Sequence, residues 1–215
     1  LLAEAGVPDG VVNVITTSTT SAVVNTIMDD PRVRKVSFTG STEVGRVLLK
    51  KAADQVMHTS MELGGNAPFV VFDDADLETA LDAAMIAKMR NGGEACTAAN
   101  RLYVHRGIAE AFAKGLTERM SGMTVGVAED ANTDCGPLVN AAAVAKVASL
   151  VDEAVAKGAR VLCGGTALDQ TGFYYPPTVL VDVPDDAAIT VEEIFGPVAP
   201  IYVFDTEDEA ITRAN

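Results

Sequence analysis

The sequence predicts an α/β fold built on a mostly parallel sheet. Three features point to it. Helix-like and strand-like segments alternate along nearly the whole chain, the order produced when strands are followed by crossover helices. Several strand-like segments are short apolar runs, as strands covered on both faces tend to be. Aromatic residues make up only 5% of 215 residues, with no Trp, against 48% hydrophobic residues. The core must then be packed from Ala, Val, Leu and Ile.

Taken in order, residues 1–6 read as the last turns of a helix, so the ends of the chain are expected to be cut points rather than natural termini. Val11-Val12-Asn13-Val14-Ile15, behind the turn Pro8-Asp9-Gly10, reads as a strand. Residues 19–29 are helix-like and stop before Pro31, which cannot continue a helix. Residues 33–38 read as a strand running into Thr39-Gly40-Ser41-Thr42, followed by a helix over about 43–54 and a strand over 58–63. The Gly64-Gly65 pair is the expected domain boundary. Pro68-Phe69-Val70-Val71-Phe72 has the look of a buried strand, and Asp73-Asp74-Ala75-Asp76 supplies an N-cap for an Ala-rich helix over 76–90. A strand over 101–105, a helix over 107–121 and a long helix over 141–157, closed by Gly158, follow. Short strands over 160–163, 178–183 and 200–204 precede a last helix opened by Glu207.

A net charge of −14 argues against nucleic acid or an anionic membrane surface as partner, since both need Lys and Arg to neutralise phosphate. No apolar run approaches the length of a membrane span, and no basic segment leads into an apolar one as in a signal peptide. The three cysteines, Cys96, Cys135 and Cys163, are widely spaced, and only His58 and His105 could join them. That is no zinc pattern, and free thiols in a reducing cytoplasm are expected. The acidic run at residues 73–76 could hold a metal, but helix capping explains it better, so no metal is expected.

Four segments can carry chemistry. Asn91-Gly92-Gly93-Glu94-Ala95-Cys96-Thr97 presents a lone thiol after two glycines, which let a backbone approach a ligand closely. Taken alone it is better explained by a buried small side chain. Met61-Glu62-Leu63-Gly64-Gly65-Asn66 puts a carboxylate at a strand end, where α/β proteins place their sites; a surface Glu before a turn is the alternative. Phe38-Thr39-Gly40-Ser41-Thr42-Glu43-Val44-Gly45 runs from strand through turn to helix start, where exposed N–H groups favour an anion. A plain Ser/Thr cap would give the same pattern. Glu192-Glu193-Ile194-Phe195-Gly196-Pro197-Val198 joins two acids, an aromatic ring and a Gly-Pro turn, and could equally be a cap or a turn.

In this order the four segments resemble the aldehyde dehydrogenase superfamily. The resemblance extends over essentially the whole chain, including Gly136-Pro137-Leu138 and Tyr175-Pro176-Pro177-Thr178. It implies Rossmann-type pieces with a parallel sheet: residues 1–64 as the last part of an NAD(P)-binding domain and 65–215 as the thiol-bearing catalytic domain. It implies Cys96 as nucleophile and Glu62 as general base, with the Cys96 amide as an oxyanion donor. Gly40, Ser41 and Gly45 would lie in the segment beside a cofactor pyrophosphate, and Leu63 against the nicotinamide. Glu193 would bind the nicotinamide ribose, with Phe195 packed near it. The stretch from Glu62 to Phe69 is most similar to the succinate-semialdehyde dehydrogenase subfamily, in which Arg90 matches an Arg that grips the substrate's distal carboxylate. A helix-terminal cation is the other explanation of Arg90.

The activity so implied is NAD(P)-dependent oxidation of an aldehyde to an acid, with succinate semialdehyde as substrate. The alternatives are another short or anionic aldehyde, or a non-catalytic relative or inactive fragment. NAD or NADP is implied as cofactor, with assembly into a homo-oligomer in a longer protein. Family members are considerably longer. The 215 residues alone are therefore expected to bind cofactor poorly and turn over slowly. Ala98 stands where some relatives have a second Cys, so no disulfide switch is expected. Cys135 and Cys163 match no catalytic position and are expected to be structural.

Overall fold

Two parallel strands and two helices form the first of two units into which the chain divides, Leu1–Leu63 and Gly64–Asn215; the computed structural model describes all of residues 1–215. In the first unit α1 spans Thr20–Asp29, β1 Lys35–Gly40, α2 Thr42–Asp54 and β2 His58–Leu63. β1 and β2 pair in parallel from Lys35 opposite His58 to Gly40 opposite Leu63. The Ser41 hydroxyl caps α2 by accepting from the Val44 amide at 3.4 Å. Met28, Leu48, Ala52 and Met57 form a small core with Val36 and Phe38 packed against it. β1 starts two residues later than the apolar pattern predicts. Val33 is held back in a turn, its amide donating to the Asp30 carbonyl at 3.0 Å.

Two expectations for this unit fail. Residues 11–15 form no strand, and Val11, Val12, Val14 and Ile15 are exposed. An apolar run becomes a strand only where another strand pairs with it, and the sheet here contains β1 and β2 alone. Residues 1–6 make successive turns rather than a helix, with Ala5 bonded to the Leu1 carbonyl and Gly6 to that of Ala3.

The second unit is a five-stranded sheet with helices on both faces. Its elements are β3 (Ala67–Val71), α3 (Leu77–Met89), β4 (Ala99–His105), α4 (Arg106–Ser121), α5 (Ala141–Ala156), β5 (Arg160–Cys163), β6 (Thr178–Val181), β7 (Val198–Phe204) and α6 (Glu207–Ala214). The spatial order is β3-β4-β7-β6-β5. Every neighbouring pair is parallel except β5 and β6. A parallel pair needs a crossover, usually a helix. The segment between β5 and β6 has none and doubles back through Gly164 and Gly165, both in the left-handed region.

Side chains alternate across each strand, which divides the core in two. Leu102 and Val104 of β4 meet Leu81, Ala84, Phe112 and Leu116 of α3 and α4. Tyr103, on the other face, joins Val147, Leu150, Val151 and Tyr202 beneath α5. Burial on both faces is why these strands read as unbroken apolar runs. No helix is long and apolar enough to cross a membrane.

Candidate active site

In the first unit the carboxyl ends of β1 and β2 gather five of the predicted site residues. Gly40 lies opposite Leu63, and Thr39 opposite Glu62. Glu62 is exposed and Leu63 half-buried. Gly45, in the first turn of α2, faces Leu63 closely enough that an added methyl would stand 2.6 Å from a Leu63 methyl. Gly40 and Ser41 form the entry to α2, with backbone N–H groups of its first turn beside them.

In the second unit the thiol sits beyond a left-handed turn. α3 ends at Met89, and Asn91, Gly92 and Gly93 then adopt φ of 55°, 61° and 79°. Three consecutive residues in this region are costly for any side chain, and two of the three are glycines. The Asn91 side chain holds the turn by donating to the Glu94 carbonyl at 2.9 Å. A methyl on Gly93 would overlap the Gly196 carbonyl, so the two backbones touch there. The Glu94 carboxylate accepts the Val139 amide at 3.2 Å, and burial raises its pKa.

Cys96 follows, exposed, and no group of the chain accepts a hydrogen bond from its amide. Beside it Arg90 donates to the Thr97 hydroxyl at 2.7 Å and leaves the rest of its guanidinium exposed. The other thiols differ in kind. Cys135 is buried and Cys163 half-buried, and burial pushes both thiols up.

The segment before β7 supplies a carboxylate to the same unit. Glu193 Oε1 accepts the Gly65 amide at 3.3 Å, and any side chain on Gly64 would collide with Oε2. Lys146 fixes the backbone from α5, its Nζ donating to the Glu193 carbonyl at 2.7 Å. Phe195, at φ 55°, is strained and partly exposed. The carboxylate thus lies against a cradle that only glycine leaves open, and it retains acceptors for a hydroxyl-bearing ligand.

Gly40, Ser41, Gly45, Glu62 and Leu63 therefore come together in the first unit, and Arg90, Cys96, Glu193 and Phe195 in the second. Of the residues read as non-catalytic, Asp76 caps α3, its Oδ1 accepting the Thr79 amide at 2.9 Å, and hydrogen bonding from the Thr79 side chain and then its amide lowers the carboxyl pKa. His105 packs edge-on against Phe204, while His58 is exposed at the start of β2. A cleft of about 560 Å³ between α4 and strands β5–β7 contains none of the site residues.

Sequence reasoning passed over one feature of the site, the fully buried Lys88. Its Nζ donates to Asn100 Oδ1 at 3.0 Å, and Asn100 Nδ2 donates to the Gly65 carbonyl at 3.3 Å. A signal was present: Leu81, Ala84 and Lys88 follow helical spacing and share the buried face of α3.

The second unit is thus an α/β scaffold that presents an exposed thiol ahead of β4 and a glycine-cradled carboxylate ahead of β7, both at the amino ends of its parallel strands. The chain belongs to the aldehyde dehydrogenase family, whose model matches residues 1–215. It is 51% identical over 212 residues to a succinate-semialdehyde dehydrogenase of Paenarthrobacter nicotinovorans, covering 99% of this chain and 47% of that protein. It is 48% identical over 215 residues to the NADP(+)-dependent succinate-semialdehyde dehydrogenase of Escherichia coli, covering 100% of this chain and 44% of the relative. The crystal structure of succinate-semialdehyde dehydrogenase from Burkholderia pseudomallei superposes with a TM-score of 0.95 at 44% identity, covering 99% of this chain and 44% of that one. The chain thus spans less than half the length of the curated relatives named here.

Proposed function

We propose that this chain supplies the nucleophile and the base for NAD(P)-dependent oxidation of an aldehyde to a carboxylic acid, with succinate semialdehyde as substrate. In this reading residues 1–64 complete a cofactor-binding domain and residues 65–215 form the catalytic domain. The observation that carries it is the placement of Cys96: alone among three thiols, it is exposed, beyond a left-handed turn and in the same unit as the Glu193 carboxylate.

The Cys96 thiolate attacks the aldehyde carbon and a C–S bond forms. The negative charge moves to the former carbonyl oxygen, where the unengaged Cys96 amide can meet it. When bound, a nicotinamide would supply the acceptor for the hydride that this carbon gives up. The carbon remains on sulfur as a thioester. Glu62 then takes a proton from water as the water attacks the thioester carbon; the C–S bond breaks with its electron pair going to sulfur, the acid leaves and the Cys96 thiolate is restored.

The residues present fit the cofactor. Gly40 and Ser41 open a helix whose first N–H groups suit a pyrophosphate. Glu193 offers carboxylate oxygens to ribose hydroxyls from its glycine cradle. Arg90, tethered to Thr97 beside the thiol, is a fork for the distal carboxylate of a semialdehyde. The cytoplasm is the compartment that suits three free thiols, and the assembly is read as a homo-oligomer.

Rapid-mixing kinetics of the protein carrying this chain tests the assignment. Cys96→Ala abolishes the first hydride transfer. Glu62→Gln keeps a single-turnover burst and loses steady-state turnover. Arg90→Ala raises KM for carboxylate-bearing semialdehydes and spares uncharged aldehydes. Full turnover by Cys96→Ala rejects the reading, and an unchanged substrate preference in Arg90→Ala rejects succinate semialdehyde as the substrate.

A further inference from the structure

Lys88 is the only charged side chain buried out of contact with solvent. It occupies the last turn of α3, one residue before the Met89 carbonyl and two before the turn that leads to Cys96. An apolar side chain of the same length would fill this space without the cost of burying an amine. Three things offset that cost. The C-terminal end of a helix attracts a cation. Asn100 Oδ1 accepts from Nζ at 3.0 Å. The Glu193 carboxylate acts on the amine by its charge.

Charged groups on the surrounding elements are otherwise engaged. Arg101 of β4 donates to the carbonyls of Asn66, Arg213 and Ala214. Lys146 of α5 meets the Glu193 carbonyl. Glu192 is exposed. Arg90 is bound to Thr97 and Glu94 to the Val139 amide. Glu193 is the charged group that opposes the effect of burial on Lys88. No ion pair joins the two directly; the connection runs from Lys88 through Asn100 to the Gly65 carbonyl, and from the Gly65 amide to Glu193.

We propose that Lys88 is a positioning residue: its ammonium, fixed by Asn100, provides the counter-charge that keeps the Glu193 carboxylate on the Gly65 amide, and so ties the helix that delivers Cys96 to the segment that carries Glu193. The amine is not permanently charged. Burial holds its pKa down to about 7 against the opposing pull of Glu193. Near neutrality, then, deprotonation of Lys88 releases Glu193. The significance of Glu193 for cofactor affinity rests on the proposed function; the coupling of Lys88 to Glu193 does not.

The Gly65 amide reports the coupling directly. Labelling with ¹³C′,¹⁵N-glycine isolates Gly–Gly pairs, of which the chain has three, at 64–65, 92–93 and 164–165. In the wild-type protein the Gly65 amide proton lies downfield at pH 6 and moves upfield with a midpoint near the Lys88 value of about 7. Lys88→Met abolishes this titration and raises Gly65 amide exchange at least ~10-fold, the loss of roughly one charge-assisted bond. Lys88→Arg, charged at every pH, keeps the low-pH position throughout. A Lys88→Met protein that folds with the Gly65 shift, titration and exchange of the wild type overturns the proposal. So does a Lys88→Arg protein in which the wild-type titration persists. In parallel, Glu193→Gln is titrated with reduced cofactor. Unchanged affinity rejects the cofactor role of Glu193 and leaves the Gly65 result to decide the coupling.

Discussion

Replacing Lys88 by methionine removes a buried amine and keeps most of its volume, and the pH dependence of stability isolates the electrostatic part. A lysine amine titrates near 10.5 in water, while burial holds Lys88 to about 7. Unfolding exposes the amine. Between pH 7 and 10.5 the unfolded chain binds a proton that the folded chain does not, so wild-type stability climbs with pH through this window. Below pH 7 both states are protonated, and the group contributes no slope. At 1.36 kcal/mol per pH unit the whole gap corresponds to about 5 kcal/mol. Between pH 7 and 9, where urea unfolding is practical, the climb is about 2 kcal/mol.

Methionine binds no proton, so wild-type stability relative to Lys88→Met rises by about 2 kcal/mol over that interval. Leaving Asn100 Oδ1 unpaired costs the variant about 1–3 kcal/mol, but this offset does not depend on pH. Tyrosine fluorescence is a clean probe: the chain has four Tyr and no Trp, and Tyr103, Tyr174, Tyr175 and Tyr202 all lie in the second unit. A stability difference that stays flat from pH 7 to 9, or falls, refutes the assignment of a buried, partly neutral Lys88.

Three further outcomes are expected. Iodoacetamide labels Cys96 before Cys135 and Cys163 at pH 7, because only Cys96 is exposed while burial raises the other two; peptide mapping after short exposures checks this. Gly93→Ala forces a methyl against the Gly196 carbonyl at φ 79°, and calorimetry should show a loss of about 1–3 kcal/mol together with slower alkylation of a displaced Cys96. Asp76→Ala removes the α3 cap and costs about 1 kcal/mol in urea unfolding, with the Cys96 labelling rate unchanged.

Local signals foretold most of the fold. Asp76 and Ser41 were readable as caps because a short side-chain oxygen ahead of an amphipathic run has one obvious use, and both cap their helices. The apolar runs of β4 and β7 announced strands covered on both faces, but the run at 68–72, read as buried, is the edge strand β3, and Pro68, Val70 and Phe72 are exposed. Pairing is not a local property, which is why residues 11–15 have the composition of a strand but no partner. The one antiparallel pair, β5 with β6, sits within the mostly parallel sheet that the alternation predicts. The site was legible as residue types in order. Its geometry was not. The left-handed Asn91 and Phe195 are conformations that their side chains do not advertise. Lys88 was hidden by the habit of reading every lysine as solvated, although its spacing from Leu81 and Ala84 put it inside.

The most direct test of the central claim is to find which atom carries the substrate carbon. The Glu62→Gln form of the protein carrying this chain is mixed with succinate semialdehyde and NADP, quenched in acid within one turnover, digested and weighed by mass spectrometry. The expected result is a succinyl group on the peptide containing Cys96 and on no other. Acid product formed while Cys96 stays unmodified, or a succinyl group on Cys135 or Cys163, contradicts it.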